Sequence, residues 1–140
     1  KKRIRQSLGL EDVRLIVSGG AALPPWVSEG LTGYGLDVIQ GYGLSEASPL
    51  ITVNPPSRPK PESIGMAIPS DEVEIRDVND EGVGEIAARG PNIMQGYYKN
   101  SSATGETLTP DGWLLTGDVG YFDDEGYLYI TGRKKSVIVT

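Results

Sequence analysis

The chain has 140 residues with a formal net charge of −6, and it contains neither cysteine nor histidine. These counts exclude disulfides, thiolate ligands and an imidazole base, so any catalysis depends on carboxylates, Lys, Arg, hydroxyls or a bound metal. The length fits one domain or part of one, the acidic balance disfavours nucleic-acid binding, and no apolar run approaches the ~20 residues of a membrane span.

The first third of the chain predicts an α/β unit. Val13–Ser18 is a short apolar, β-branched run that indicates a buried strand. Pro24 and Pro25 suit the start of a helix, expected over Trp26–Leu31 and ended by the glycines that follow. Leu36–Gln40 predicts a second strand. In such parallel units ligands bind at the carboxyl ends of the strands.

The chain after Asn54 predicts a β-rich part. Asn54–Glu62 is rich in proline and is expected to form a loop. A turn at Asp123–Gly126 is expected to close a hairpin. The amino-acid composition shifts near Asn54, and this shift predicts two parts, residues 1–53 and 54–140. Short strands are predicted over Val73–Arg76, Glu85–Arg89, Trp113–Leu115, Gly120–Phe122 and Tyr127–Thr131.

The run from Gly41 to Pro49 carries groups that can hold a nucleotide, and we predict a ligand loop there. The ring of Tyr42 can stack on a base, the hydroxyl of Ser45 can bind a phosphate oxygen, and the carboxylate of Glu46 is a hard ligand for Mg²⁺. The glycines at 41 and 43 let the backbone approach a ligand closely.

This run, followed in order by Gly84–Tyr98, Gly112–Asp118 and Gly132–Lys135, resembles the motifs of the adenylate-forming superfamily. That group includes acyl-CoA synthetases, luciferases and the adenylation domains of peptide synthetases, and the nearest resemblance is to AMP-forming long-chain fatty-acid–CoA ligases. The resemblance covers residues 13–140. It implies the large N-terminal domain of such an enzyme: a βαβ unit ending in the nucleotide loop, then a distorted, barrel-like β subdomain that ends at a hinge.

The resemblance also implies a reaction. A fatty acid or related carboxylic acid attacks the α-phosphate of Mg²⁺-bound ATP, giving an acyl-adenylate and pyrophosphate. The thiol of CoA then attacks the acyl carbonyl, and AMP leaves. The protein chiefly positions the reactants and stabilises charge at phosphorus. A cytoplasmic protein is expected, and peripheral membrane contact stays open.

The resemblance assigns roles to the residues of the nucleotide loop, and each has a structural alternative. Tyr42 would stack on adenine, or else be a core tyrosine. Ser45, where the family usually has threonine, would bind the α-phosphate, or else cap a helical turn. Glu46 would be the Mg²⁺ ligand, or else a solvated carboxylate. Gly41 and Gly43 would border the nucleotide and the acyl pocket.

Residues outside this loop complete the implied site. The small residues Gly20, Ala21 and Ala22 would lie beside adenine, or else form a tight strand-to-helix turn. Asp118 would accept hydrogen bonds from both ribose hydroxyls, or else belong to a Gly-Asp turn. Arg133 would reach the ribose or phosphates, and Lys135 would be the hinge, the alternative for each being a solvated cation.

The ends of the chain predict a piece of a longer polypeptide. It begins without methionine and stops inside the apolar, β-branched residues 137–140, which are expected to form a strand. The family's Ser/Thr/Gly-rich phosphate loop would precede Lys1, and its catalytic lysine would follow Thr140. We therefore predict no catalytic residue within the chain and no turnover by the isolated chain.

Three alternatives stay open at this point. An aryl-CoA ligase or a fatty-acyl-AMP ligase would share these motifs. A non-catalytic β-rich binding module would use the glycines for turns alone and would be indifferent to loss of Glu46. A nucleic-acid-binding β domain would require salt-dependent oligonucleotide binding despite the negative charge.

Overall fold

The structure is a computed structural model that describes residues 2–134, and its strands form two four-stranded sheets. The first sheet has the order β1-β2-β3-β4, with β1 at Ile16–Ser18, β2 at Val38–Gly43, β3 at Leu50–Val53 and β4 at Met66–Ala67. The second has the order β5-β6-β7-β8, with β5 at Glu72–Arg76, β6 at Gly84–Arg89, β7 at Leu114–Phe122 and β8 at Leu128–Arg133. The helices are α1 at Lys2–Ser7, α2 at Pro25–Gly33 and α3 at Ser101–Thr107, and a 3₁₀ turn covers Ser45–Ala47.

The predicted strand, helix and strand form a βαβ unit. β1 pairs in parallel with β2, with Ile16 opposite Val38, and α2 makes the crossover between them. The helix begins at Pro25, where a missing N–H leaves no helical hydrogen bond unmade. It runs to Gly33, further than predicted, and β1 begins at Ile16 rather than Val13.

The predicted ligand loop at Gly41 proved to be the end of a strand. β2 continues to Gly43 because its last residues pair antiparallel with β3, Gly41 lying opposite Val53. β3 was not predicted from the sequence, and neither was α3, whose first turn is capped by the side chain of Asn100. A strand as short as β3 carries little periodicity, so only the partner strand reveals it.

The part after Asn54 is β-rich, as predicted, and its strands β5 to β8 pair antiparallel. The two strands predicted at 113–115 and 120–122 proved to be one strand, β7, which contains Thr116–Asp118. The hairpin between β7 and β8 is confirmed: the amide of Gly126 donates to the carbonyl of Asp123 at 2.9 Å, and the amide of Asp123 donates to the carbonyl of Tyr127 at 2.9 Å.

The two sheets share one core and are joined at a backbone junction. The amide of Ile64 donates to the carbonyl of Leu128 at 2.9 Å, and the amide of Leu128 donates to the carbonyl of Gly65 at 2.8 Å. β4 follows Asn54 in the chain yet pairs with β3 in the first sheet. The division at residue 54 therefore stays a prediction. The buried core residues are Tyr42, Ala47, Ile51, Ile86, Ala88, Leu114 and Leu128.

The loop predicted at 54–62 is confirmed, since residues 54–65 form neither helix nor strand. Among the described residues, no helix is both long enough and apolar enough to cross a membrane.

Candidate nucleotide site

Eight of the predicted nucleotide-binding residues line one open cleft of about 570 Å³. The cleft lies where the end of β2 faces β7 and the end of β8, so it is built by both sheets. These eight residues are Gly20, Ala21, Ala22, Gly41, Tyr42, Gly43, Asp118 and Arg133.

Tyr42 has a buried ring and a hydroxyl that points across the cleft wall. The residue is 9% exposed and belongs to the hydrophobic core. Its hydroxyl donates to Oδ2 of Asp118 at 2.6 Å. Burial, and then this hydrogen bond to a carboxylate, raises the pKa of Tyr42 well above its ordinary value. The core role expected as the alternative is therefore present, and stacking on adenine stays a prediction.

Asp118 is the point at which the cleft residues meet. It is 5% exposed, and its two carboxylate oxygens receive different donors: Tyr42 on Oδ2 and Nε of Arg133 on Oδ1, at 2.7 Å. Asp118 lies within β7 rather than in a turn. Each carboxylate oxygen can accept more than one hydrogen bond, so these partners orient the group and leave acceptor capacity for a ligand.

Arg133 is the cation of the cleft. Its side chain is 63% exposed, and the hydrogen bond to Asp118 raises the pKa of its guanidinium above the ordinary value. It lines both the cleft and a second cavity of about 480 Å³. A cation at the border of two cavities can bind an anionic group of a ligand that extends from one cavity into the other.

The glycines of the cleft have a steric role. A Cβ on Gly43 would collide with the backbone carbonyl of Pro49, so only glycine fits at this position. Gly20 has a φ of +84°, a backbone conformation that residues with a side chain rarely adopt. Ala21 and Ala22 beside it are exposed.

Ser45 and Glu46 lie in the 3₁₀ turn after β2, outside the residues that line the cleft. Ser45 is exposed and is not the cap of the turn, because the cap residue is Leu44 and no side-chain cap bond forms. Glu46 lines the second cavity with Arg133. The structure therefore divides the predicted loop between two adjoining cavities.

Glu46 is held by a residue to which the sequence assigned no role. The hydroxyl of Tyr97 donates to Oε1 of Glu46 at 2.7 Å, and this bond raises the pKa of Tyr97. The amide of Met94 donates to the carbonyl of Glu46 at 2.8 Å. Asn92 donates to the carbonyls of Ala47 and Leu50, at 2.9 and 2.8 Å. The segment 92–97 therefore clamps the turn that presents Glu46.

The donor set at Glu46 fits a metal held partly by its substrate. The residues that the structure describes contain no group of three or more Asp, Glu, His or Cys side chains that could hold an ion. Mg²⁺ commonly binds one or two carboxylates and completes its coordination with phosphates and water. Glu46 can supply one such carboxylate.

Two further predictions concern residues at the end of the chain. Lys135, the predicted hinge residue, and the strand expected at 137–140 lie outside the described residues. Lys134, directly before them, bonds Oε2 of Glu85 at 2.7 Å. The buried carboxylate of Glu85 was missed, because a lone glutamate in a strand carries no sequence signal of burial.

Comparison with known proteins identifies the family. The family described as AMP-binding enzyme matches residues 2–98. The chain belongs to this family. AMP-binding relatives include the long-chain-fatty-acid–CoA ligase FadD15 of Mycobacterium bovis, 40% identical over 99% of this chain and 22% of the relative. Another is the 4-coumarate–CoA ligase-like protein 4 of Oryza sativa, 39% identical over 94% of this chain and 26% of the relative.

The fold of the AMP-binding enzymes is also present. O-succinylbenzoate coenzyme A synthetase from Bacillus subtilis, solved in complex with AMP, superposes with a TM-score of 0.83 and 36% identity. The superposition covers 92% of this chain and 28% of that one. The two sheets therefore match part of the N-terminal domain of an adenylate-forming enzyme. The chain spans about a quarter of the length of these relatives.

Proposed function

We propose that this chain supplies the adenosine-binding part of an AMP-forming ligase that activates a long-chain fatty acid and transfers it to CoA. One observation carries the proposal: Tyr42 and Asp118, 76 residues apart, are hydrogen-bonded on the wall of a cleft that Arg133 also lines. A buried carboxylate oriented by two donors is a suitable acceptor for vicinal hydroxyls such as those of ribose.

The remaining cleft residues fit the other parts of an adenine nucleotide. Gly20, Ala21 and Ala22 leave room for a flat base against the backbone, and Tyr42 lines the same cleft. Arg133, at the border of the second cavity, suits the phosphates. Glu46 in that cavity would hold Mg²⁺, which neutralises phosphate charge when it is bound. Ser45, the exposed residue of the same turn, precedes Glu46 and would meet the α-phosphate there.

The relatives support the choice of acid and acceptor. In the proposed reaction the carboxylate of a fatty acid attacks the α-phosphate, pyrophosphate leaves, and the CoA thiol displaces AMP from the acyl-adenylate. The long-chain ligase from Mycobacterium bovis supports a fatty acid. The rice relative is one percentage point less identical and supports an aryl acid as the second candidate.

Nucleotide binding is tested first on the 140-residue chain by calorimetry with AMP. We expect Asp118→Asn to raise the Kd for AMP at least about tenfold, because a hydrogen bond to a charged group is lost in a buried site. Asp124→Asn, in an exposed turn of the same hairpin, is the matched control and should leave the Kd unchanged. Equal affinities of both variants and the parent would contradict the proposal.

Turnover is tested by ATP–pyrophosphate exchange on the 140-residue chain and on the complete protein that carries this sequence. We propose that the 140 residues alone give no exchange above background, since the resemblance assigns no catalytic residue to them. Exchange by the complete protein with palmitate in preference to 4-coumarate would support a fatty acid, and the reverse preference an aryl acid. Full exchange after Glu46→Ala would contradict the proposed role of Glu46 as the Mg²⁺ ligand, and no exchange by the complete protein with either acid would favour the non-catalytic binding module.

A further inference from the structure

Two neighbouring cations at the end of β8 each pair with a buried carboxylate. Arg133 bonds Asp118 at 2.7 Å, and Lys134 bonds Glu85 at 2.7 Å. Asp118 and Glu85 are 5% and 6% exposed. Lys134 also reaches Asp77 at 3.3 Å, and its pKa is raised chiefly by Glu85 and then by Asp77. A carboxylate is stable in a buried position only with hydrogen-bond or ion-pair partners of this kind. Asp118 lines the cleft but Glu85 does not, so the burial of Glu85 needs a separate explanation.

Glu85 lies opposite an irregularity in β7. Glu85 is paired with Val119 and Ala87 with Leu115, so residue 86 of β6 faces residues 116–118 of β7. Gly117, in the middle of this bulge, has φ +74. Bulges of this kind re-aim a side chain and leave backbone groups outside the regular ladder.

The bulge is closed by side chains instead of ladder bonds. The hydroxyl of Thr116 donates to the carbonyl of Ile86 at 2.8 Å and accepts from the amide of Asp118 at 3.1 Å. Oε1 of Glu85 accepts from the amide of Gly117 at 3.0 Å. Glu85 therefore satisfies the one bulge amide that directly precedes Asp118, while its other oxygen holds Lys134.

We propose that Glu85 is a positioning residue for nucleotide binding: it fixes the bulge at Gly117 and thereby aims Asp118 into the cleft. Glu85 lines the second cavity and not the cleft, so it acts through Asp118. Lys134 holds the second oxygen of Glu85 and so keeps the first turned toward the bulge. The inference rests on the proposed role of Asp118 at the ribose.

The experiment measures the Kd of AMP and of 2′-deoxy-AMP for the 140-residue chain, and its readout is the ratio of the Kd of 2′-deoxy-AMP to the Kd of AMP. A purely structural role for Glu85 would weaken both ligands equally. Misorientation of Asp118 weakens AMP more than 2′-deoxy-AMP, because 2′-deoxy-AMP has only the 3′-hydroxyl to lose as a donor to this carboxylate. We expect Glu85→Leu to lower the ratio about tenfold, to the value of Asp118→Asn, because one charge-assisted hydrogen bond is at stake.

Two matched variants accompany this substitution. Glu85→Gln keeps an oxygen that can accept from Gly117, and it should retain most of the ratio. Glu81→Leu makes the same change at an exposed turn and should retain all of it. If Glu85→Leu keeps the ratio of the parent while Asp118→Asn lowers it, the inference about Glu85 is overturned and the proposed ribose contact is not. A parental ratio in Asp118→Asn would overturn the proposed ribose contact and the inference with it.

A second arm covers the case in which Glu85→Leu does not fold. Lys134→Met removes the cation that holds the carboxylate, and we expect the ratio to fall about threefold, whereas Lys134→Arg should keep it. A ratio in Lys134→Met equal to that of the parent would overturn the inference.

Discussion

Asp118 illustrates how single side chains prepare the cleft before any ligand arrives. Tyr42 and Arg133 hold its two oxygens in place, so the carboxylate has one orientation in the structure. An acceptor that is already oriented loses little conformational freedom on binding. The hydrogen bond to Asp118 also couples the ionisation of the Tyr42 hydroxyl to the free energy of unfolding.

The raised pKa of Tyr42 predicts a loss of stability in alkali. In the unfolded chain a tyrosine ionises near pH 10, and in the folded chain Tyr42 ionises higher. A raised folded pKa contributes stability that is complete below about pH 10 and is lost as the pH rises above it, at up to about 1.4 kcal/mol per pH unit. Urea unfolding at several pH values should show a shallower alkaline loss for Tyr42→Phe than for the parent.

The control for this comparison is Tyr98→Phe, since the side chain of Tyr98 is 88% exposed. It should follow the parent across the alkaline range. Parallel pH profiles for Tyr42→Phe and the parent would contradict the prediction.

At the scale of elements, the turn between β2 and β3 is held by contacts from a distant segment and by a steric constraint at Gly43. It carries Glu46 and is clamped by Asn92 and Tyr97, which lie in the segment between β6 and α3. Gly43 lies against the backbone of Pro49 so closely that no side chain fits. The position of Glu46 therefore depends on Gly43, three residues before it in the chain.

Gly43→Ala should accordingly destabilise the chain by about 3 kcal/mol or more, because the new methyl group meets backbone that cannot move aside without breaking the β2–β3 pairing. Gly30→Ala is the matched control: it lies inside α2 with nothing within 4 Å of the added Cβ. It should be stabilising by about 0.5–1 kcal/mol, since glycine is the poorer helix former. Chemical denaturation measures both, and similar free energies of unfolding would refute the steric argument.

At the scale of the whole molecule, the cleft exists only while both sheets hold together. The junction between Ile64, Gly65 and Leu128 ties the loop before β4 to the start of β8, and the two sheets share a single core. Shared burial makes separate unfolding of either sheet unfavourable, because each would expose the apolar face of the other.

Hydrogen exchange should therefore report one cooperative unit. The amide of Asn54, bonded to the carbonyl of Gln40 at 2.8 Å, represents the first sheet, and the amide of Leu128 represents the junction. We expect protection factors that agree within about tenfold under conditions of global opening. Protection at Asn54 lower by several orders of magnitude would show that the first sheet opens by itself.

Much of the fold and of the site could be predicted from sequence. The βαβ order, the hairpin at Asp123–Gly126 and the family followed from local composition and ordered motifs, which depend on neighbours in the chain. β3, the continuity of β7 and the strand conformation of Gly41–Gly43 could not be predicted, because each is stabilised by pairing with a distant strand.

By itself the sequence determined which chemical groups are present and in what order: an aromatic ring, hydroxyls, carboxylates and cations between glycines. Only the tertiary structure decided which of them meet. It brought Tyr42, Asp118 and Arg133 to one cleft, sent Glu46 to the cavity beside it, and paired the unremarked Glu85 with Lys134. The physical reason is that hydrogen bonds and ion pairs act over a few ångströms in space, whatever the distance along the chain.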